Sequence, residues 1–401
     1  MHIAIFSFHF PPEKDAEGYV SAKFVNVLSN LGHSVLVYKN ENNNSVNSIS
    51  TLFHSLLQYW KFALLYKCFD LTQLAELNNY VSCSLHKFKV DHKNKPFDLI
   101  VSRYEPIASS IAAYWAHKYT NLSWISSIND PFPRLVIPRK GVWHYWDLHR
   151  NKFQVKWAND LYQTSTRLVF PSEYLAEWCL QCCNKNRIEL SNWDNKVTII
   201  PHIGGPIERP IEHAKFVNPR NRSVIIRHIG YLSKARDISS FIEALILLDL
   251  DETLPAITVE FIGNNAGQME NLSSGKIGNL KKNQIHILPA IDNQEAFIKM
   301  AEADICLLVE EPGENSKYLP SKFCDYAMAK TPILALTPKV SVVRNYINNY
   351  GGGICVDHGN VIEISKSIKA IINNSIDTSR LANEFSLEII SNKWQNILED
   401  L

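Results

Sequence analysis

Residues 2–38 read HIAIFSFHFPPEKDAEGYVSAKFVNVLSNLGHSVLVY, and the order of elements within them decides the fold. His2 to Phe8 is a short apolar run that suits a buried strand, and Pro11 and Pro12 end it. Val20 to Leu31 carries apolar residues at helical spacing and stops at Gly32, a residue that accepts the left-handed turn closing many helices. Ser34 to Tyr38 is a second apolar run. A strand, a helix and a strand in so short a span make a βαβ unit, which requires parallel strands.

The same alternation continues outward. Strands are expected at Asp98 to Ser102, Ser123 to Ile128, Leu168 to Pro171 and Val197 to Pro201, with a helix near Ala108 to Lys118. Asn40 to Ser50 is rich in Asn and Ser and reads as a loop, and Thr51 to Phe69 reads as an aromatic amphipathic helix. Gly204-Gly205-Pro206 and the polar stretch to Arg222 read as a linker. A second series then begins. Strands fit Val224 to Ile229, Thr258 to Ile262, Gln284 to Leu288, Ile305 to Leu308, Pro332 to Ala335 and Gly353 to Val356. Helices fit Ile238 to Leu248, Gln294 to Ala303, Lys322 to Ala329, Val361 to Ile372 and, last, Ser386 to Leu398 with Trp394. The fold class expected is α/β, with two Rossmann-like doubly wound domains facing across a cleft. Their bounds are 1–205 and 206–382, and residues 383–401 form a helix returning to the first domain. In such folds ligands sit against the carboxyl ends of the strands.

Composition agrees with this class. A chain of 401 residues exceeds one ordinary core, and 46% hydrophobic with 20% charged residues is a globular profile. A formal net charge of +1 offers no global attraction for nucleic acid. The N-terminus lacks the charged flank of a signal peptide, and no apolar run reaches the ~18 residues of a membrane span. The eight cysteines show no framework spacing, so a reduced, cytoplasmic chain is expected, with Cys179 and Cys182 as plain helix thiols.

Four places carry chemistry. Gly230 to Asp237, GYLSKARD, links a strand to a helix. Gly230 would let a phosphate approach the backbone, and Lys234 and Arg236 would supply charge. A solvated basic turn is the alternative. In EEPGENSKYLPSKFCDYAMAKTP, Glu310 to Pro332, Ser321 is a candidate N-cap with Lys322 beside it, and Asp325 lies one helical turn on. Asp325 could accept bonds from ribose hydroxyls or could merely complement the helix dipole. Gly18 opens the first helix and allows a diphosphate or sugar close to the backbone, or simply serves a turn. The loop holds no complete GxGxxG, which argues against a nicotinamide dinucleotide. Glu105 and Asp130 follow two strands, where one could orient an acceptor hydroxyl or act as its base; the alternative is an ion pair with Arg103 or Arg134. His9, His202 and His228 lie near strand ends without metal-ligand spacing. No metal site and no cofactor are therefore expected and a divalent metal is not required, a loosely held Mg²⁺ being the alternative.

Together these segments resemble the retaining glycosyltransferases of family 4, which have the GT-B fold, across nearly the whole chain. SRYEPIASSIAA and SSINDP resemble a branch active in bacterial surface-polysaccharide assembly, O-antigen or capsule. VFPSEYL and IIPHIGG look like inter-lobe segments, HIGYLSKARD like the donor-diphosphate strand and loop, and LPSKFCDYAMAKTPILAL like the family's signature helix. The resemblance implies a nucleotide-sugar donor, with Arg236 and Lys234 at its diphosphate and Asp325 at its ribose; Gly18, Gly230, Ser321 and Lys322, read from their local setting, complete the expected donor site. The resemblance further implies a saccharide or lipid-linked acceptor in the N-terminal half and transfer with retention.

Two departures stand out. The family's pair of glutamates eight residues apart becomes Lys317 and Asp325, leaving Glu314 or Glu311 as substitutes for the first. A glycine pair in the first loop becomes Glu17-Gly18. The broken pair keeps a non-catalytic nucleotide-sugar-binding partner open as an alternative, beside a GT-B sugar-nucleotide epimerase and a Rossmann oxidoreductase. Phe53, Trp60, Phe62, Tyr66 and Phe69 with Lys61 and Lys67, and Trp143, Tyr145 and Trp146 with Arg139 and Lys140, suit a peripheral contact with the inner membrane face or core packing.

Overall fold

The computed structural model describes residues 1–12, 16–40, 73–104, 106–138, 140–141, 143–186, 192–206, 223–263 and 280–401. Glu105, Arg139, the aromatic segment Leu52 to Phe69 and the linker residues 207–222 lie outside the described residues. The chain divides into two compact units. One comprises Met1–Pro201 with Lys393–Leu401, the other His202–Asn392.

The first unit is a six-stranded parallel sheet in the order β2-β1-β3-β4-β5-β6. Its strands are β1 (His2–Phe6), β2 (Ser34–Tyr38), β3 (Leu99–Tyr104), β4 (Trp124–Ile128), β5 (Arg167–Phe170) and β6 (Val197–Ile199). Every residue of β3 and β4 is buried, as a parallel sheet covered by helices on both faces requires. Phe6, Ile100, Trp124, Phe170 and Phe88 meet in one core. The Trp124 indole keeps its N–H satisfied by donating to Ser102 Oγ at 3.0 Å. Trp394, from the returning end of the chain, is 3% exposed and stacks at a tilt on Phe24, ring centres 4.6 Å apart.

The second unit repeats the plan with β7 (Val224–Ile229), β8 (Ile257–Ile262), β9 (Gln284–Leu288), β10 (Ile305–Val309), β12 (Ile333–Leu336) and β14 (Gly353–Val356). Its sheet order is β14-β12-β10-β7-β8-β9. A separate parallel pair, β11 (Asn315–Ser316) and β13 (Val340–Ser341), sits beyond β10 and β12. From β7 the chain steps outward to β8 and β9, then returns to pair β10 with the other side of β7. Connections therefore diverge between β7 and β10, the point where an open sheet leaves a crevice at its carboxyl edge.

The expected strands and most of the expected helices are present, several residue for residue and the others shifted by up to four residues at their ends. The first helix runs Ala16–Asn30, so Gly18 lies inside its first turn rather than ahead of it. Helices at Gln73–Asn94, Trp143–Thr164, Val342–Tyr350 and Ser379–Glu384 were not expected, because each mixes polar and aromatic residues without a clean apolar stripe or spans a short interval. Ser321 is the first residue of the helix Ser321–Met328 and not its N-cap. Pro320 holds that place in extended conformation, with no side-chain cap.

Candidate functional site

The carboxyl edge of the second sheet gathers charge and unsatisfied polar atoms. Strand β7 ends at Ile229, and Gly230 follows with φ +107°, a conformation that favours glycine. A Cβ at Gly230 would lie 3.1 Å from Lys322 Nζ, so the bare backbone makes room for that ammonium. Lys322 comes from the first turn of the helix Ser321–Met328 and donates to the Tyr231 carbonyl at 3.4 Å and to His228 Nε2 at 3.5 Å. Burial and the nearby positive charge of Arg236 lower the Lys322 ammonium to about 7.

His228 is fully buried within β7, and its Nδ1 lies 3.0 Å from the Leu307 carbonyl. A carbonyl can only accept, so Nδ1 carries the proton and Nε2 is left as an acceptor. Burial, then the charges of Lys322 and Arg236, hold this imidazole well below its ordinary range, so it is neutral. Tyr326, on the same helix as Lys322, clasps the strand end. Its hydroxyl accepts the Ile229 N–H at 2.9 Å.

Arg236 donates through one terminal nitrogen to the Tyr231 carbonyl at 3.3 Å. Its Nε is buried and, among the described residues, has no hydrogen-bond partner. The same holds for Ser233 Oγ, in the same turn after β7. Buried polar groups are normally paired, and two orphans in one turn at a sheet edge mark a place where a polar ligand would complete them. Lys234 is exposed in the Gly230–Asp237 turn.

Glu310 stands just past β10, 4% exposed. It accepts from Ser316 Oγ at 2.7 Å and from Ser341 Oγ at 2.5 Å, which ties β11 and β13 to the end of the main sheet. Burial raises its carboxyl above the ordinary range, and the two hydroxyls and the charges of Arg236 and Arg344 offset this in part. Arg344 in turn donates to Asp357 Oδ1 at 2.6 Å. Glu311 and Glu314 are exposed in the loop after Glu310, and Lys317 lies near the Tyr318 ring, 5.5 Å from nitrogen to ring centre. Glu310 is thus the most deeply buried acid of this edge among the described residues.

Asp325 is 9% exposed, and its Oδ1 accepts the Gly205 N–H at 3.0 Å. The preceding Gly204 lies against the same helix so closely that a Cβ would meet the Cys324 carbonyl at 2.2 Å. The first glycine of the pair in IIPHIGG is therefore a packing requirement of this unit.

In the first unit Asp130 is half-buried after β4, and its neighbour Asn129 donates to Glu17 Oε2 at 2.8 Å. Arg103 is 5% exposed, donates to Ser127 Oγ at 2.7 Å and lies over the Phe24 ring at 5.3 Å. Burial lowers its guanidinium, and the Glu17 carboxylate opposes that. Glu17 is thus a charge partner of Arg103 that sequence reasoning missed. Gly18 is buried beside it. The missed residues of the second unit, His228 as a lysine partner, Glu310, Thr337, Arg344 and His358, share one sequence signal: each falls within a residue or two of a strand's end or in the helix turn after one. Among the described residues no group of three or more His, Cys, Asp or Glu is placed to hold a metal ion.

No protein-family model and no curated protein matches the chain. Solved structures do. Anabaena Alr3699/HepE in complex with UDP and glucose matches with a TM-score of 0.59 at 11% identity, over 100% of both chains. The lipopolysaccharide outer core galactosyltransferase WaaB, in its apo form, gives 0.60 at 12%, again over 100% of both. UDP-GlcNAc 2-epimerase from Methanocaldococcus jannaschii gives 0.55 at 13% over 100% of both. At these identities the likeness shows the fold, which is GT-B.

Proposed function

We propose that this chain is a glycosyltransferase that takes a sugar from a nucleotide-sugar donor and passes it, with retention, to a glycan or lipid-linked saccharide in bacterial surface-polysaccharide synthesis. One observation carries the reading. Arg236 and Lys322 converge at the switch point between β7 and β10, beside the glycine Gly230 and the uncapped start of the helix Ser321–Met328. Two cations and a helix start without a side-chain cap, at a sheet's carboxyl edge, suit a diphosphate.

In this reading Arg236 and Lys322 hold the diphosphate, with Lys234 adding charge from the rim and the Ser321 N–H an amide donor. Asp325 takes the ribose, and the segment bearing Glu314 borders the transferred sugar. Positive charge and helix dipole then stabilise the nucleoside diphosphate as it leaves. The first unit is assigned the acceptor, with Gly18 in the first turn of the helix Ala16–Asn30, Asp130 after β4, and Glu105 next in sequence after β3. No group is assigned as a covalent nucleophile. HepE, solved with UDP and glucose, and the galactosyltransferase WaaB support this reading through their shared fold.

A peripheral contact with an anionic membrane belongs to the same proposal. Between Arg134 and Lys156 the sequence holds six Lys or Arg against one acid, Asp147, which is buried. Ile137, 92% exposed, and Tyr145, 71% exposed, stand among these cations. Exposed apolar groups close in sequence to several cations suit a lipid headgroup surface, and a lipid-linked acceptor would be met there.

The epimerase fold match supports a second reading, in which the donor isomerises with no acceptor. A thermal-shift screen against UDP, GDP, CMP and ADP and their sugar conjugates tests both, since a ligand bound only by the folded chain raises the melting temperature. A shift with one nucleotide family, followed by sugar transfer in the presence of acceptor, upholds transferase. A new sugar isomer without acceptor upholds epimerase. Absence of any shift overturns the donor site.

A further inference from the structure

The contact between Lys322 and His228 has chemical content beyond holding a phosphate, and it rests on the donor-site reading above. The imidazole sends its one N–H to the Leu307 carbonyl. Its other nitrogen is a lone-pair acceptor fixed inside the sheet, aimed at Lys322 Nζ from 3.5 Å. An ammonium has three N–H bonds. Two are taken, by His228 Nε2 and the Tyr231 carbonyl, both neutral acceptors. No carboxylate bonds to the ammonium among the described residues.

The charges around it come from several elements. Arg236, in the turn after β7, is the nearby cation that acts on Lys322. His228 of β7 is neutral. Asp325 and Tyr326 lie on Lys322's own helix, where Asp325 is bonded to Gly205 and Tyr326 to Ile229. Glu310, after β10, is bonded to Ser316 and Ser341, and its charge acts on Arg236. The ammonium therefore sits in a position where burial and a like charge oppose its proton and no direct acidic partner restores it.

We infer that His228 is a positioning residue that turns the third N–H of Lys322 toward the donor's diphosphate, and that the diphosphate binds there together with one proton. The step is a simple equilibrium. The neutral amine of Lys322 takes a proton from solvent as the anion arrives, and the resulting ammonium donates to a phosphate oxygen. No covalent bond to phosphorus changes. Without anion the amine is about half protonated near pH 7, and a bound diphosphate restores its charge.

The test is calorimetric. Binding of UDP, GDP and ADP to the full chain is measured at pH 8, where the nucleotide phosphates are already ionised, in buffers of differing ionisation enthalpy. Wild type is expected to take up about one proton per nucleotide bound, and its affinity to fall by up to about tenfold per pH unit above neutrality. Lys322→Arg keeps the charge but does not titrate, so uptake disappears and affinity becomes level with pH; Lys322→Met gives the same loss of uptake should the larger guanidinium unseat Gly230. His228→Gln keeps an acceptor for Lys322 and a donor for the Leu307 carbonyl, and is expected to retain uptake and affinity. His228→Leu removes the acceptor, and affinity is expected to drop about tenfold. Nucleotide binding with no proton uptake in wild type, or uptake persisting in Lys322→Arg, overturns this inference and leaves the donor site standing. Equal behaviour of the Gln and Leu variants removes the role of His228. Failure of all three nucleotides to bind overturns the donor site and this inference with it.

Discussion

The Ser341 hydroxyl donates to Glu310 Oε2 across 2.5 Å, while Ser341 Oγ itself accepts the Arg344 N–H at the start of the helix Val342–Tyr350. One small side chain thus caps a helix and satisfies a buried acid. The acid is held by hydroxyls, with Arg236 and Arg344 acting only from a distance, and burial keeps its folded pKa above the ordinary 4.5. A raised value means that folding favours the protonated form. Glu310 then contributes most to stability below about pH 4.5, and its ionisation costs stability as pH rises through the raised value. Glu310→Gln mimics the protonated acid. Urea unfolding is expected to show the variant gaining on wild type between pH 4.5 and pH 7, by about 1.4 kcal/mol for each pKa unit of elevation. The opposite trend would mean that the two arginines outweigh burial.

Arg236→Ala removes a cation that, among the described residues, bonds to one carbonyl. Its loss is expected to weaken nucleoside-diphosphate binding by about ten- to a hundredfold, the range of a charged hydrogen bond, with little change in melting temperature. Titration calorimetry reads the affinity directly, and an unchanged constant would strip Arg236 of the phosphate role.

Gly204→Ala places a methyl 2.2 Å from a backbone oxygen of the helix Ser321–Met328. Backbone cannot rotate away as a side chain can. The variant is expected to lose about 1–3 kcal/mol in chemical denaturation. Stability equal to wild type would show that residues 202–206 dock less tightly than this contact requires.

Asp325 both accepts from Gly205 and is assigned the ribose, and these roles separate experimentally. Asp325→Asn keeps an acceptor for the amide, so stability should stay within about 1 kcal/mol. Wild type is expected to prefer UDP over 2′,3′-dideoxy-UDP by roughly tenfold or more, and Asp325→Asn to narrow that preference. Equal discrimination by both proteins would place the ribose elsewhere.

Ile137, Tyr145, Lys140, Arg150 and Lys152 are all exposed within one short stretch of the first unit. Co-sedimentation with vesicles containing anionic lipid is expected to fall steeply with added salt and in a Lys140→Glu, Arg150→Glu, Lys152→Glu variant. Absence of wild-type binding at low salt would argue against the membrane contact.

Much of the second sheet was legible because its strands are short, apolar and bounded by turn residues. Val224–Ile229 and Gly353–Val356 match their expected spans residue for residue. The helix Trp143–Thr164 was not legible, since WHYWDLHRNKFQVKWANDLYQT places aromatics and charges without a clear stripe and its buried side is picked out by partners such as Tyr114 and Phe132. Arg236 and Lys322 could be chosen as cations near glycine and a helix start. That they converge on one carbonyl, Tyr231 O, is a product of topology, because 85 intervening residues carry the chain out to β9 and back. Ser321 was misassigned as a cap for a local reason: the backbone of Pro320 already has the extended geometry of the capping position, which puts serine one place inside. Glu310 was hidden by its neighbours, since nothing in EEPGE says which glutamate turns inward until β11 and β13 supply the two serines.

The stacking of Trp394 on Phe24 has a consequence for synthesis. Both rings are almost wholly covered, so the face of the helix Ala16–Asn30 around Phe24 lacks one of its walls until residue 394 has left the ribosome. The domain translated first is thus the one completed last, and during elongation it presents an unfinished apolar face to chaperones and to other nascent chains.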